Sequence, residues 1–512
     1  MYNFLMLNEL IKQLKHKGPT YFTFLCIAYY SFLNSKKYLL PTIYKTIRKI
    51  PLVDKKIQKI KDDMNDTFTK SKSPLKILPY NGLTKDAIME RLDLLPKSKN
   101  NWKEGLISGT VYDANIEITN LVNEVINKYQ WSNPLHADLF PEIREMEASI
   151  ISFCIDLYKG DNNVCGSVTS GGTESIILAC KTHRDYFDNI EEPEIIAPVS
   201  AHVAFDKACH YLKIKLVKVD VNDEGVPNIN DIENKINKNT IMIVGSAPSF
   251  PHGVIDPIEQ ISVLAKKYNI GFHMDACLGG FVLPFIENNK YNFRLEGLTS
   301  ISLDTHKYGY GPKGGSVILY RNKDLIHNQY HVVTDWPGGI YVSPTIPGSR
   351  NGSIVAGTWA AMLFNGKKGY SNKVQEIIEL KENIIDDLME VKEIEIIGNP
   401  ETTILAFKSA GSFPKNNIYL LYQYMSEKGW SLNSLQFPPS FHICLTAIHC
   451  QQKEDIGKLF VKNIKEGINH INDNPDVKAS GMASIYGTSQ AIPDRSIIRE
   501  LSFHYQDLYY TL

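Results

Sequence analysis

The sequence predicts an α/β protein built on a mostly parallel sheet, followed by a smaller α+β unit. Three observations carry that expectation. Between residues 101 and 370, short apolar runs alternate with helical patterns, which is how successive strand–helix–strand units read. The runs are strand-sized and the patterns between them are helix-sized. From residue 371 a long helical passage gives way to a mixture of shorter strands and helices, so a second unit is placed at 371–512.

Each element follows from its own stretch of chain. Glu194–Pro198, Lys215–Asp220, Ile241–Ser246, Ile270–Asp275, Thr299–Asp304 and Ser316–Tyr320 are apolar runs of strand length. Thr173–Phe187, Ala204–Leu212 and Pro257–Tyr268 carry helical periodicity between them. Beyond residue 371, Val374–Glu390 and Ile418–Lys428 read as helices and Thr403–Phe407 as a strand. Residues 51–100 are rich in lysine and punctuated by proline, with a helical stretch near 53–66, and read as a stalk and lead-in.

With 512 residues, 43% hydrophobic and 22% charged, the chain has enough apolar material for a large core. A net charge of −1, with no basic patch interleaved with aromatics, gives no reason to expect nucleic acid as a partner. Eight scattered cysteines, none in a Cys-x-x-Cys pair, read as reduced thiols rather than a disulfide framework or a zinc site. Within the N-terminal segment 1–50, residues 19–33 carry no charge and are flanked by lysines and arginines on both sides. The stretch is short for a bilayer span, and a packed or interfacial helix is the alternative. The expectation is a single membrane anchor, with the heavier positive charge after it placing the rest of the chain in the cytosol.

Five features in the α/β part carry chemistry. Thr169-Ser170-Gly171-Gly172-Thr173-Glu174 precedes an apolar helix; its glycines let backbone approach an anion, and Thr173 is expected to cap the helix. His202 follows a strand, where an imidazole can stack on a flat ring. Asp275 ends another strand, at the edge where open α/β sheets bind ligands, and would pair there with a cation such as a pyridinium. Lys307 closes Asp304-Thr305-His306-Lys307 and leads into a glycine run. Held among aromatics and backbone, it is expected to have a lowered pKa and to react with an aldehyde carbonyl. Gly348-Ser349-Arg350-Asn351-Gly352-Ser353 is a polar turn before a helix, Ile354–Phe364, and a second candidate phosphate site.

Taken singly, each feature has a structural explanation: a tight turn, a satisfied loop histidine, a helix cap, a solvated lysine. Their order and spacing do not. A phosphate cradle, a stacking histidine, then a strand-end aspartate about 30 residues before a lysine is similar to the pattern of aspartate-aminotransferase-type enzymes that use pyridoxal 5'-phosphate (PLP). No metal set, serine triad or dinucleotide glycine motif competes with it.

Longer stretches narrow the resemblance. Ser108–Tyr112, Asn133-Pro134-Leu135-His136-Ala137-Asp138-Leu139-Phe140-Pro141, Thr169–Glu174, His273–Phe281 and Asp304–Gly311 closely resemble the sphingosine-1-phosphate lyases of the PLP-dependent group II decarboxylase superfamily. The resemblance runs from about residue 75 to 500. It implies the aspartate-aminotransferase-like fold type I and a homodimer with shared active sites. It implies an endoplasmic-reticulum form with its catalytic part in the cytosol. By matching position, Lys307 would hold PLP covalently, Asp275 would bind the ring nitrogen and His202 would stack on the ring. Gly171, Gly172, Thr173 and His306 would hold the cofactor phosphate, with Gly352 and Ser353 arriving from the other subunit. Tyr112, Asn133, His136, Lys313 and Tyr486 would bind the substrate phosphate. The chain departs from the pattern at Gly311, where many members have alanine, and at Thr110, where some have small apolar residues.

The implied reaction is cleavage of the C2–C3 bond of a phosphorylated sphingoid base, giving a long-chain aldehyde and phosphoethanolamine. The base acting on the C3 hydroxyl is open among Lys307, His136 and the cofactor phosphate. An amino-acid decarboxylase of the same superfamily is the alternative reaction, and a membrane-tethered scaffold without catalysis the alternative of another class.

Overall fold

The computed structural model describes residues 51–67, 75–97, 102–287, 289–477 and 495–511. Residues 19–33 and Tyr486 lie outside them. Among the described residues no helix is long and apolar enough to cross a membrane. The chain forms two compact units, one of Met1–Ser98 with Ser480–Leu512 and the other of Lys99–Ala479. In the first, the helices Pro51–Thr67 and Arg495–Leu508 bury Ile57, Met64, Ile497 and Leu501 against each other, with Lys61 paired to Glu500 at 2.8 Å.

The second unit is organised by a seven-stranded sheet. Its strands are β1 (Cys165–Thr169), β2 (Glu194–Pro198), β3 (Lys215–Val219), β4 (Thr240–Ser246), β5 (Gly271–Ala276), β6 (Ser300–Leu303) and β7 (Ser316–Tyr320), in the spatial order β1-β7-β6-β5-β4-β2-β3. All neighbours pair in parallel except around β7, which runs antiparallel to both β6 and β1. Helices cover the sheet, so β2, β4, β5, β6 and β7 are buried along their whole length. Six of the seven strands were legible as apolar runs. The seventh, β1, reads Cys-Gly-Ser-Val-Thr, and only its position beside β7 makes it a strand.

Because β7 separates β1 from β6 and opposes both, β1 points the same way as the parallel strands. The carboxyl ends of β1, β2, β4, β5 and β6 therefore share one sheet edge. At those ends or just beyond them lie the Gly171-Gly172 turn, His202, Ser246, Asp275 and the Asp304–Lys307 segment. That edge is where a doubly wound sheet opens a crevice.

After the hairpin β8 (His331–Trp336) and β9 (Gly339–Ser343) comes the helix Gly352–Leu388. It joins the two helical stretches expected on either side of residue 371. Gly366, at φ 54° and ψ 176°, breaks the helical geometry inside it, a conformation that glycine adopts without steric cost. A second, antiparallel sheet follows, made of β10 (Ile394–Ile396), β11 (Ile404–Ser409), β12 (Asn433–Leu435) and β13 (Ser440–Cys444) in the order β10-β11-β13-β12. Tyr308 ties the two sheets together, its hydroxyl donating to Leu445 O at 2.6 Å.

Behind the end of β4 lies a carboxyl that the fold strains. Asp256 is buried; its Oδ2 accepts from Ser246 N at 2.6 Å, while Oδ1 has no partner among the described residues. Burial, reinforced by the nearby Asp275 charge, pushes its pKa up to about 7 against the help of Ser246. Unfolded, the group would titrate near about 3.9. Its folded pKa is raised, so its favourable contribution is fully present below the unfolded value and fades as pH rises toward about 7. Between about pH 5 and about pH 8, the wild type should lose on the order of 2–3 kcal/mol more stability than Asp256→Asn. Urea unfolding of both proteins at the two pH values measures that difference in slope, and equal slopes would contradict it.

Candidate active site

Two adjoining cavities open at the carboxyl edge of the large sheet, of about 310 Å³ and about 350 Å³, and both are lined by His202, Cys277, His306 and Lys307. The smaller runs toward Tyr112, Lys313 and the second sheet; the larger runs toward Ser170–Glu174.

Lys307 sits where they meet. Its Nζ is 3.0 Å from Asp304 Oδ2, in an i,i+3 pair across the turn that ends β6. Burial disfavours the ammonium, but Asp304, with Cys277 and Tyr112 nearby, outweighs it and raises the pKa of Lys307 well above its ordinary value. This corrects the expectation of a lowered pKa. The sequence places aromatics and glycines around the lysine, whereas the fold turns a carboxylate onto it. The same ammonium acts on Lys313, which burial and the charge of Lys307 push downward. Lys313 Nζ lies 4.6 Å from the Tyr112 ring centre and donates to His306 O at 3.3 Å.

Asp275 occupies the next strand end. Its Oδ1 accepts from Cys277 N at 3.0 Å and from Ser302 Oγ at 3.2 Å. Among the described residues no donor reaches its Oδ2. Burial opposes its ionisation, yet the His202 and His273 rings and the Cys277 amide hold the carboxyl below its ordinary range. His202 itself is exposed, and its Nδ1 accepts from Ala204 N at 3.1 Å, so a proton on the neutral ring sits on Nε2.

The glycine turn is built differently from expectation. The helix begins at Gly172, with Gly171 preceding it and no side-chain cap, so Thr173 lies inside the first turn. Glu174 braces the turn: its Oε2 accepts from both Ser170 N and Ser170 Oγ at 2.6 Å, and its Oε1 accepts from Ile346 N at 3.0 Å. Gly171, at φ 153°, borders open space. A Cβ on Gly172 would come within 2.7 Å of Asp304 Oδ1 and 2.8 Å of Cys277 Sγ. His306 Nδ1 meets Gly315 O at 2.5 Å, and burial lowers its pKa despite Asp304.

These residues fit PLP. A helix N-terminus approached by bare backbone suits its phosphate. The free Oδ2 of Asp275 suits its ring nitrogen, and Lys307 suits its aldehyde. Asp304 Oδ1, buried with no hydrogen-bond partner among the described residues, is a polar atom left over in the same cavity.

The expected substrate residues divide. Tyr112 and Lys313 line the cavity. Burial, with Cys444 beside it, raises the pKa of Tyr112, so its phenol is neutral. Thr110, two residues before it, holds φ 64°, a strained backbone for a β-branched residue at the cavity wall. Asn133 lines neither cavity. Its side chain instead grips the polar turn, Nδ2 donating to Ser349 Oγ at 3.2 Å and Oδ1 accepting from Arg350 N at 3.1 Å. His136 is exposed one turn further on. Gly352 N donates to Ser132 O at 3.1 Å, and Ser353 is buried at the start of its helix, so neither of these two lines the cavities within one chain. Arg350 locks the turn to the helix Pro141–Leu157 by a bidentate pair with Glu147, at 2.5 and 3.0 Å. Asp304, Cys277, Ser302, Asn433 and His442 were not singled out from sequence. Asp304 alone carried a signal, its i,i+3 spacing from Lys307.

The pyridoxal-dependent decarboxylase conserved domain matches residues 110–410. Sphingosine-1-phosphate lyase 1 of Rattus norvegicus is 43% identical over 484 residues, covering 92% of this chain and 84% of the rat protein. The sphingosine-1-phosphate lyase of Saccharomyces cerevisiae is 38% identical, covering 90% and 80%. Among solved structures, a sphingosine-1-phosphate lyase of Burkholderia pseudomallei superposes with a TM-score of 0.74 at 32% identity, covering 79% of this chain and 95% of that one. Glutamate decarboxylase of Lactobacillus brevis shares the fold, with a TM-score of 0.68 at 21% identity, covering 79% and 97%. Domain match, relatives and geometry agree: the chain belongs to the pyridoxal-dependent decarboxylase family and, within it, to the sphingosine-1-phosphate lyases.

Proposed function

We propose that this protein is a PLP-dependent aldehyde-lyase that cleaves the C2–C3 bond of sphingosine 1-phosphate or its dihydro form, releasing a long-chain aldehyde and phosphoethanolamine. The observation that carries the reading is the shape of the paired cavities. Lys307 stands between the Gly171-Gly172 turn on one side and the Lys313–Tyr112 pair on the other, so two separate anion positions flank one reactive amine.

When bound, the cofactor supplies an electron sink for the charge left on substrate C2. The chain's residues do the rest. Asp275 Oδ2 would hold a proton at the ring nitrogen, and His202, at the cavity wall, would cover the ring face. Lys307 Nζ must shed its proton to react, and Asp304 Oδ2, 3.0 Å away, is placed to receive it. Lys313 and the neutral Tyr112 hydroxyl fix the substrate phosphate. That would orient the substrate and so select which bond at C2 is cleaved.

We also propose that the active unit is a homodimer. Asn133, His136 and the Gly348–Ser353 turn are neighbours that do not line their own chain's cavities, and a second copy would bring them to a cavity as a unit. The large domain is taken as 101–370 and the small one as starting at 371, while the helix Arg495–Leu508 packs with Pro51–Thr67 in the other unit. Residues 19–33, uncharged between lysine-rich flanks, are proposed to anchor the protein in the endoplasmic-reticulum membrane with the catalytic part facing the cytosol.

Incubation with a phosphorylated sphingoid base should yield aldehyde and phosphoethanolamine, identified by mass spectrometry, and Lys307→Ala should abolish both product formation and the visible absorption of bound PLP. Carbon dioxide from glutamate or tyrosine, without aldehyde from the lipid, would replace the lyase reading by the decarboxylase one. Mixing inactive Lys307→Ala with inactive His136→Ala should restore activity, because the mixed dimer assembles one site with Lys307 of one chain and His136 of the other. Failure to complement would return His136 to its own chain's site. Deleting residues 1–50 should move the protein from a carbonate-resistant membrane fraction to the supernatant, and an unchanged distribution would argue against the anchor.

A further inference from the structure

Strands β5 and β6 run parallel with His273 opposite Ser300 and Asp275 opposite Ser302. Residues two apart on a strand share a face, so these four side chains form a patch inside the sheet. Hydrogen bonds connect the four: His273 Nδ1 is 2.8 Å from Ser300 Oγ, His273 Nε2 is 3.1 Å from Ser302 Oγ, and Ser302 Oγ is 3.2 Å from Asp275 Oδ1. Cys277 Sγ lies 3.2 Å from the same serine oxygen.

Proton counting settles the direction of each bond. Asp275 accepts only, so the single Ser302 proton goes to Oδ1. Ser302 Oγ must then accept from His273, which places the imidazole proton on Nε2. The other ring nitrogen accepts from Ser300. Burial lowers the pKa of His273 to about 3, in keeping with a neutral ring. Phe205, on the helix that follows His202, abuts that ring edge-on at 5.9 Å between centroids.

A histidine and two serines without solvent exposure, on the sheet face that also buries Val244 and Phe205, are an expensive choice where apolar residues would pack. They connect onward to two groups at the cavity, Asp275 and the Cys277 thiol, and Asp275 is the one that receives the serine proton. We propose that Ser302, oriented by His273, is a positioning residue for the reaction: it pins Asp275 Oδ1 so that Oδ2 alone faces the cofactor ring nitrogen. The inference rests on the reading of Asp275 given under the proposed function. Together with the Cys277 amide, the serine hydroxyl fixes the plane of the carboxylate.

The test is a double-mutant cycle on the full chain. Wild type, Ser302→Ala, Asp275→Ala and the double variant are stripped of cofactor and titrated with PLP, read by visible absorption and by quenching of intrinsic fluorescence. Ser302→Ala should weaken PLP binding about tenfold and lower kcat by a similar factor, with KM changed by less than about twofold. In the Asp275→Ala background the same substitution should alter PLP affinity by less than about twofold. An equal loss in both backgrounds marks a packing role and overturns the inference, as does no loss in the wild-type background. Ser302→Thr, which keeps the hydroxyl and adds bulk, should bind PLP within about threefold of wild type, a rescue that packing alone would not give. If Ser302→Ala fails to fold, His273→Gln carries the same cycle one bond further out, with an expected loss of about threefold that also vanishes without Asp275. An Asp275→Ala protein that binds PLP as tightly as wild type overturns the assignment of Asp275, and this inference with it. Weakened binding by Asp275→Ala without coupling to Ser302 overturns the inference alone.

Discussion

A parallel sheet covered by helices on both faces has no solvent on either side, so its strands bury whatever they carry. Charge is therefore pressed to the strand ends, where the backbone leaves the sheet and water or a ligand can reach it. In this protein the constraint collects Asp275, the Asp304–Lys307 turn, His202 and the Gly171-Gly172 turn at one edge, although they come from strands far apart in sequence. The antiparallel β7 does not disturb the arrangement, because it separates two strands that still point the same way. The site is thus a by-product of sheet polarity, filled in by the residue types at each end.

Within that edge the Lys307–Asp304 pair sets the local electrostatics. A buried ammonium without a counter-charge would lose its proton, and one beside a carboxylate keeps it. Here the carboxylate is in the same turn as the lysine, so the pair forms whenever the turn does. The charge of Lys307 then weighs on Lys313, and that of Asp304 partly offsets the burial of His306. A single turn of the chain therefore tunes three ionisable groups that face one cavity, and binding of a cofactor through Lys307 would rebalance all three together.

The parts legible in the sequence are those whose signal is local. Asp275 and Lys307 each follow an apolar run, and the Gly171-Gly172 turn precedes a helix, so position along the chain already gives position at the edge. Helix capping by Thr173 failed because Glu174 reaches back to Ser170 instead, a contact that depends on turn geometry. The link between Ser302 and His273 escaped the sequence for another reason. In a strand they look like ordinary polar substitutions, and only the register of β5 against β6 turns them into a connected chain. Asn433 and His442 come from the second sheet, more than a hundred residues beyond Lys307, and no spacing rule links them to the site. Asn133 and His136 were tied to the substrate by resemblance, while one chain's geometry ties Asn133 to the Ser349–Arg350 turn.

The two halves of the site differ in how they are held. The cofactor half is built from ends of strands in one sheet, each fixed by ladder hydrogen bonds and buried neighbours. The substrate half joins pieces with separate supports. Ser108 and Gly109 are bound to β13, through Ser108 Oγ accepting from Cys444 N at 2.9 Å and Gly109 N donating to Cys444 O at 2.8 Å. Asn433 and His442 face the same cavity from the second sheet, and Lys313 comes from the glycine run after Lys307. Small movements of the second sheet against the first would leave the cofactor contacts intact while shifting Tyr112, Asn433 and His442 together. On the proposed reading, choice of substrate would reside at the junction of the two sheets, and chemistry at the edge of the first.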